Sequence, residues 1–346
     1  MKVKNSKEKI KCLLLFSGGL DSILAAKVLE KQGVEVTALS LESFFFGAEE
    51  AKKSAKENNI KLRIENFALP HLEIVRCPKF GRGAGMNPCI DCHLLMLRAA
   101  KKIAERENYD FIATGEVLGQ RPMSQNPGAL KLIEREAGLA GKILRPLSAK
   151  VLPETEMEKS GLVIREKLFG FSGRSRKEQI ALAKKYGVKK YPSPAGGCIL
   201  TDKEYSKKLQ DLFEKIINPR PSDFELLRIG RHFWVYPVGK NEVLKSGKIL
   251  FKNNKAERTS ESKLSNGAGA HIIIGRNHEE NLKLRRMAEK GDLLIELKNV
   301  PGPLALVRGE EIEASMEASI ETAKEKIIQY AKGAKEENDF LVIAVR

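Results

Sequence analysis

Two stretches of this 346-residue chain gather residue types that do chemistry. Ser17-Gly18-Gly19-Leu20-Asp21-Ser22 follows an apolar run at 11–16 and precedes a helical pattern at 21–31. At such a junction the backbone N–H groups and the positive helix end face outward. The two glycines let a phosphate approach the main chain, the serine hydroxyls can donate to it, and Asp21 can hold a magnesium ion. A nucleotide phosphate site is expected, with an ordinary capped helix start as the competing explanation. No GxxxxGK[ST] pattern occurs, which disfavours a Walker-type ATPase.

The second stretch is Asn87-Pro88-Cys89-Ile90-Asp91-Cys92-His93. It sets two thiols three apart at a helix start, where thiol pKa falls and thiolate ligation or nucleophilic sulfur is favoured. Cys198 follows Gly196-Gly197, whose missing side chains allow close approach to that pair. Three thiolates leave one iron of a [4Fe–4S] cluster open to an outside ligand, whereas structural zinc takes four protein ligands. Zinc with His93 as fourth ligand and unliganded buried thiols both stay open. Of the other cysteines, Cys12 reads as strand core and Cys77, beside Arg76 and Lys79, as an accessory thiol. An odd total of five cysteines argues against a disulfide scaffold.

These residues need a scaffold that brings strand ends together. Apolar runs at 11–16, 34–41, 61–67 and 111–114 alternate with helical spacing at 21–31, 51–58 and 94–106. The alternation implies an α/β fold over residues 1–150, a doubly wound parallel sheet with helices on its faces. Ligands in such folds bind beyond the carboxyl ends of the strands, where Ser17 and Thr114 both fall. Residues 151–265 read as a basic helical and linker region, with a helix at 177–185 and a rigid loop at 191–197 carrying the third cysteine. Residues 266–346 read as a compact α+β module: strands at 271–274, 292–298, 304–307 and 340–345, helices at 279–289 and 314–331. The fragments at 238–242 and 274–277 look alike but are too short to count as a repeat.

Composition sets the surroundings. Hydrophobic residues make up 42% and charged residues 31%, a globular balance. No apolar run nears the roughly 18 to 20 residues that span a bilayer, and no signal-peptide pattern opens the chain, so a cytoplasmic location without membrane partners is expected. The net charge is +16, and residues 165–208 alone hold 12 Lys/Arg against 4 Asp/Glu. A concentrated basic patch suits a polyanion, with Arg174, Arg176 and Lys177 as expected RNA contacts. A Lys/Glu-rich thermophile-like surface is the competing explanation. Gly230-Arg231-His232-Phe233-Trp234 adds a cation among aromatics that could stack on bases.

SGGLDS in this position resembles the PP-loop of the ATP pyrophosphatase superfamily, whose members cleave ATP between the α- and β-phosphates and adenylate a carbonyl oxygen. The resemblance implies that Ser17, Gly18, Gly19, Asp21 and Ser22 bind the departing pyrophosphate, Asp21 with magnesium. Thr114-Gly115-Glu116-Val117-Leu118-Gly119-Gln120 with Ser124-Gln125 is similar to a stretch of the 4-thiouridine synthetase family, which makes Thr114, Gly115 and Gln120 nucleotide-site residues. The Cys-x-x-Cys pair with a distant third cysteine resembles the iron–sulfur-dependent tRNA thiolases, some of them 2-thiouridine enzymes. Ile274-Gly275-Arg276-Asn277, Glu280-Asn281, residues 292–298 and Pro301-Gly302-Pro303 look like the RNA-binding module of the NFACT family, with Arg276 as an RNA contact.

Together the resemblances imply an ATP-dependent tRNA sulfurtransferase making 4-thiouridine rather than 2-thiouridine. Its cofactors would be ATP, magnesium and a [4Fe–4S] cluster, and its partners tRNA and a sulfur donor, either sulfide or sulfur from a cysteine desulfurase. A homodimer is compatible with this expectation. The alternatives are a 2-thiouridine synthase using zinc or a persulfide on Cys198 resolved by Cys89 or Cys92, and a non-catalytic nucleotide-sensing RNA adaptor. Two departures stand out. The 4-thiouridine family places an RNA-binding domain before its PP-loop, and with SGGLDS at residue 17 that domain is expected to be missing here. Glu296 and Lys298 occupy the region of the NFACT histidine.

Overall fold

A computed structural model describes residues 9–193, 198–235, 269–309, 313–333 and 339–346. The loop residues 194–197, the fragment 238–242 and the 266–268 boundary lie outside them. The chain divides into two compact units, Met1–Lys207 and Lys208–Arg346.

In the first unit β1 (Lys11–Leu15) is central because almost every residue of KCLLL is apolar, as a strand covered on both faces requires. Cys12 and Leu14 join one core, while Leu13 joins the other on the opposite face. The chain continues through α1 (Leu20–Glu30), β2 (Glu35–Glu42), α2 (Glu49–Glu57), β3 (Lys61–Asn66), α3 (Ala68–Arg76), α4 (Cys89–Arg106), β4 (Phe111–Thr114), α5 (Pro127–Ala137) and β5 (Ile143–Leu144). The five strands are parallel in the order β3-β2-β1-β4-β5, with Leu15 paired to Leu39 and to Thr114. Both α1 and α4 present apolar stripes, Leu20, Ile23 and Leu24 to one core and Leu94, Leu97 and Ile103 to the other. The expected doubly wound parallel sheet is present. The loops after β1 and β4, adjacent strands, therefore meet at one end of the sheet.

The sequence separates 151–265 as a region of its own, and the chain packs otherwise. Met157 of α6 (Glu156–Lys159), Val163, Leu168 and Phe171, then Leu182 and Ala183 of α7 (Lys177–Lys185), complete the core against α1. The segment carries enough buried apolar surface to be part of the first unit. Next comes α8 (Lys203–Lys215).

The second unit begins before residue 266. After α9 (Pro221–Leu226), β6 (Arg231–Val235) pairs antiparallel with β7 (Ala270–Ile274), Arg231 opposite Ile274. Then follow α10 (His278–Met287), β8 (Leu293–Leu297), β9 (Ala305–Arg308), α11 (Glu313–Tyr330) and β10 (Phe340–Ala344), giving an antiparallel sheet β10-β8-β9-β7-β6. One face buries Ile272, Ile274 and Val307 with Ala323 and Ile327 of α11, and the other buries Ile273 and Leu306 with Leu226 and Leu284. The strands from 270 onward were legible as an α+β module. β6 was not, because a short half-buried strand of polar and aromatic residues has no clear alternation.

Candidate active site

The loop after β1 turns through Gly18, whose φ of +81° is a backbone state that side chains rarely adopt. A Cβ there would lie 2.8 Å from the Glu50 carbonyl at the start of α2, so loop and helix can approach only because the residue is glycine. Gly19 caps α1 in extended conformation with no side-chain cap, leaving the helix N-terminus open to an anion. The Ser17 hydroxyl receives the Gly19 N–H at 3.4 Å, and the Ser22 hydroxyl donates to the Gly19 carbonyl at 2.8 Å. Gly115, after β4, would put a Cβ 2.7 Å from the Ser22 backbone, so the strand-end motif and the loop are in contact.

Asp21 accepts a 3.0 Å hydrogen bond on Oδ2 from Gln120 Nε2. Burial raises its pKa; Gln120, Arg176, Arg121 and Gln179 pull the other way. Its Oδ1 is buried with no hydrogen-bond partner among the described residues. A carboxylate oxygen left open in this way is what a magnesium ion takes, so Asp21 fits that ion.

α4 starts at Cys89, five residues earlier than its apolar periodicity indicates, and so places Cys89 and Cys92 in its first turn and His93 one turn above Cys89. His93 Nδ1 is 3.0 Å from Glu116 Oε1. Thr114 Oγ1 donates to Glu116 Oε2 at 3.0 Å, and Arg145 Nε donates to the same oxygen at 2.9 Å. Arg145, 4% exposed, also pairs with Glu134. Burial works against ionised Glu116, yet Arg145, His93 and Thr114 hold its pKa at about 2. Burial likewise opposes a charged imidazole, but Cys89 and Glu116 raise His93 to about 9. The Cys89 thiol feels burial pushing it up, and His93, the Ser124 hydroxyl and Arg121 bring it below its ordinary value. Cys92 is driven upward by burial and by its neighbours Cys198, Cys89 and Asp91.

Cys198 reaches this neighbourhood through a specific docking contact. Met86 N donates to the Leu200 carbonyl at 2.9 Å and lies 3.1 Å from Ser206 Oγ. Gly85, at φ +61°, would drive a Cβ to 2.6 Å from the same carbonyl. Three thiols share one region and their donor chemistry fits an iron–sulfur cluster. Among the described residues, however, no three His, Cys, Asp or Glu side chains converge closely enough to hold a metal ion, so a cluster requires the thiols to draw closer. His93, expected as a zinc ligand in one alternative, is instead engaged by Glu116 and Cys89. Cys12 is buried in β1 and Cys77 is exposed.

Residues 7–151 match the family model of the thiamine biosynthesis protein (ThiI), and residues 263–344 match that of the NFACT protein RNA binding domain. The N-terminal segment is thus similar to ThiI. Three relatives named probable tRNA sulfurtransferase resemble it. That of Brevibacillus brevis is 31% identical over 150 residues, covering 40% of this chain and 35% of that one. That of Thermoanaerobacter sp. is 34% identical over 148 residues, covering 40% and 36%. That of Finegoldia magna is 35% identical over 141 residues, covering 40% and 35%. The chain thus spans about a third of the length of these curated relatives, from the 35–36% coverage. Among solved structures, a 4-thiouridine synthetase–RNA complex with bound ATP aligns with 23% identity and a TM-score of 0.33 over 51% of each chain.

The ThiI-like match contains Asp21, Cys89, Cys92, His93 and Glu116, whereas Cys198 lies in neither matched segment. The expected RNA contacts separate into different environments. Arg174 and Lys177 are exposed at the start of α7. Arg176 is half-buried and acts on Asp21, placing it at the nucleotide loop. In the NFACT-like segment Arg276 clamps Glu280, Nε to Oε1 at 3.0 Å and Nη2 to Oε1 at 2.6 Å, and so fixes the turn from β7 into α10. In the same unit Arg231 lies over the Tyr330 ring at 4.3 Å. Thr114, expected at the nucleotide, also donates to Glu116. Sequence reasoning missed Glu116 and Arg145, and took His93 only as a zinc ligand. The partners of Arg145 lie 29 and 11 residues away, a separation without periodicity.

Proposed function

We propose that the chain is an ATP-dependent tRNA sulfurtransferase, activating a uridine carbonyl oxygen as its adenylate and replacing that oxygen with sulfur, with 4-thiouridine favoured over 2-thiouridine as the product. The observation that carries this is the meeting of two chemistries: the Asp21 carboxylate of the phosphate loop and the low-pKa Cys89 thiol both lie in the field of Arg121. The match of the N-terminal segment to ThiI and of the C-terminal segment to an RNA-binding domain supports tRNA as substrate.

A uracil oxygen leaves poorly. Joined to AMP with loss of pyrophosphate it leaves well, and a sulfur nucleophile held beside it completes the exchange. In this reading Gly18, Gly19, Ser17 and Ser22 cradle the departing pyrophosphate, Asp21 holds magnesium, and Gln120 fixes the Asp21 rotamer. Cys89, Cys92 and Cys198 would hold a [4Fe–4S] cluster, which when bound supplies an open iron for sulfide. The pairing of Cys89 with His93 and Glu116 favours a second reading of the sulfur step. Cys198 persulfide attacks the adenylated carbon and AMP leaves. The Cys89 thiolate then attacks the Cys198 sulfur of the resulting mixed disulfide, releasing thiouridine and leaving a protein disulfide for a thiol reductant.

The test is tRNA-dependent turnover with nucleoside mass spectrometry. AMP and pyrophosphate should appear in step with thiouridine, and Asp21→Ala should abolish both. ADP and inorganic phosphate as the products would refute adenylation. Iron and sulfide content of anaerobically reconstituted protein separates the two sulfur steps: thiolation by iron-free protein selects the persulfide.

A further inference from the structure

The start of α7 holds polar atoms that its own fold does not satisfy. Gln179 is 0% exposed, yet neither its amide oxygen nor its nitrogen has a hydrogen-bond partner among the described residues. Arg176 Nε is buried and unpartnered in the same sense, as is Asp21 Oδ1. Each such atom costs on the order of 1–3 kcal/mol when left unmade, so several around one carboxylate are not a packing accident. They point to a ligand that completes them.

Location identifies the ligand's chemistry. α7 packs on α1, with Leu182 and Ala183 in the core they share. The segment leading into α7 is fastened to the strand-end motif: Gly173 N donates to the Leu118 carbonyl at 2.7 Å, beside Gly119. Arg176, the N-cap of α7, makes no side-chain cap, and of the first-turn N–H groups Lys177 N donates to the Ser175 hydroxyl at 3.4 Å, a long contact that leaves this helix N-terminus largely open. Arg176 and Arg121 both act electrostatically on Asp21, and the Gln179 amide acts on the same carboxylate as a weak hydrogen-bond donor, too loosely placed to satisfy either group in full. Two guanidinium groups, a donor–acceptor amide and two open helix starts around one metal-competent carboxylate suit a polyphosphate.

We infer that the first turn of α7 is the second wall of the triphosphate site, Arg176 binding the β- and γ-phosphates that leave as pyrophosphate and Gln179 Nε2 donating a hydrogen bond to them. The inference rests on the nucleotide reading of the PP-loop. It also moves Arg176 from the RNA surface to the nucleotide.

The experiment measures binding of ATP, pyrophosphate and AMP by the full chain with magnesium, by calorimetry, for wild type, Arg176→Ala and Gln179→Leu. Both variants should lose about tenfold or more in affinity for ATP and pyrophosphate, as expected for removing a charge-assisted hydrogen bond, while AMP binding stays. Affinity for tRNA at matched salt should not change in Arg176→Ala. Unaltered ATP and pyrophosphate binding by Arg176→Ala overturns the inference and leaves the nucleotide reading intact. Loss of tRNA affinity with pyrophosphate binding kept overturns it too and returns Arg176 to the RNA surface. A wild type that binds neither ATP nor pyrophosphate defeats the nucleotide reading itself. Melting curves show whether Gln179→Leu folds; if it does not, Arg176→Ala at its half-buried site decides.

Discussion

A carboxylate can stay ionised in a buried site only when several partners answer its charge, and Glu116 has three: Arg145, His93 and Thr114. Its effect is transmitted. Glu116 favours the charged imidazole of His93, and the imidazolium favours the Cys89 thiolate. Replacing Glu116 by glutamine keeps the shape and removes the charge, so the His93 pKa should fall from about 9 and the Cys89 pKa should rise. One unit of that rise is about tenfold in thiolate near neutrality. Iodoacetamide labelling followed by peptide mapping should show Cys89 reacting roughly tenfold more slowly in Glu116→Gln at pH 7, with Cys92 inert in both proteins. Equal Cys89 rates would remove Glu116 from thiol control. The thiols themselves were legible from their spacing. The groups that tune them were not, because spacing reveals a pair on one helix, not a carboxylate and a guanidinium delivered by other elements.

At the scale of elements, the phosphate loop and the parallel sheet follow from glycine placement and apolar runs, so the sequence located both. The approach of Cys198 to α4 depends instead on Gly85, whose neighbours are backbone and serine from 115–121 residues further along the chain. Gly85→Ala meets both a left-handed backbone and the Leu200 carbonyl, and should cost about 2 kcal/mol or more while loosening the docking of Cys198. Thiolation should fall with ATP and pyrophosphate binding retained, because the phosphate loop is untouched; retained thiolation would show that Cys198 is positioned otherwise. Strands β6 and β7 meet at a histidine pair, His271 buried and His232 half-buried. His232 Nε2 donates to the Ile229 carbonyl at 2.8 Å, so its Nδ1 accepts from His271 Nε2 at 2.9 Å, and Trp234 stacks on His271. Both rings are neutral: burial, chiefly, lowers His232 to about 3 and His271 well below its ordinary value. In the unfolded chain they protonate near 6.5. Below that pH the unfolded state binds more protons, so stability drains as pH falls, by about 2 kcal/mol per histidine at pH 5. Urea titrations at pH 7 and pH 5 should show this loss, and His271→Phe should reduce it.

For the molecule as a whole, the two family matches leave about a hundred residues between them, at 152–262, and the described residues of that stretch, 152–193 and 198–235, belong to the two compact units. Residues up to Lys207 finish the core of the first unit, and those from Lys208 open the second. In the second unit, described residues before 266 are bound to residues after it. Arg308, 4% exposed, pairs with Asp292 at 2.7 Å and with Asp223 at 2.7 Å, and donates to Ser222. Asp223 and Ser222 belong to α9, and the edge strand β6 also lies before residue 266. A fragment 266–346 would strip Arg308 of one buried carboxylate, a change worth roughly 3–5 kcal/mol, and would expose Ile273 and Ile274 where β6 and α9 cover them. A small domain has little more stability than that to lose. A fragment 203–346 keeps α8, α9, β6 and the Arg308 partners, so it should unfold in urea with a single sigmoidal transition and bind tRNA with an affinity that falls steeply with salt. The fragment 266–346 should show no cooperative transition by circular dichroism. If the shorter fragment folds as sharply as the longer one, the strand and helix before residue 266 are dispensable and the NFACT-like module begins where the sequence first places it.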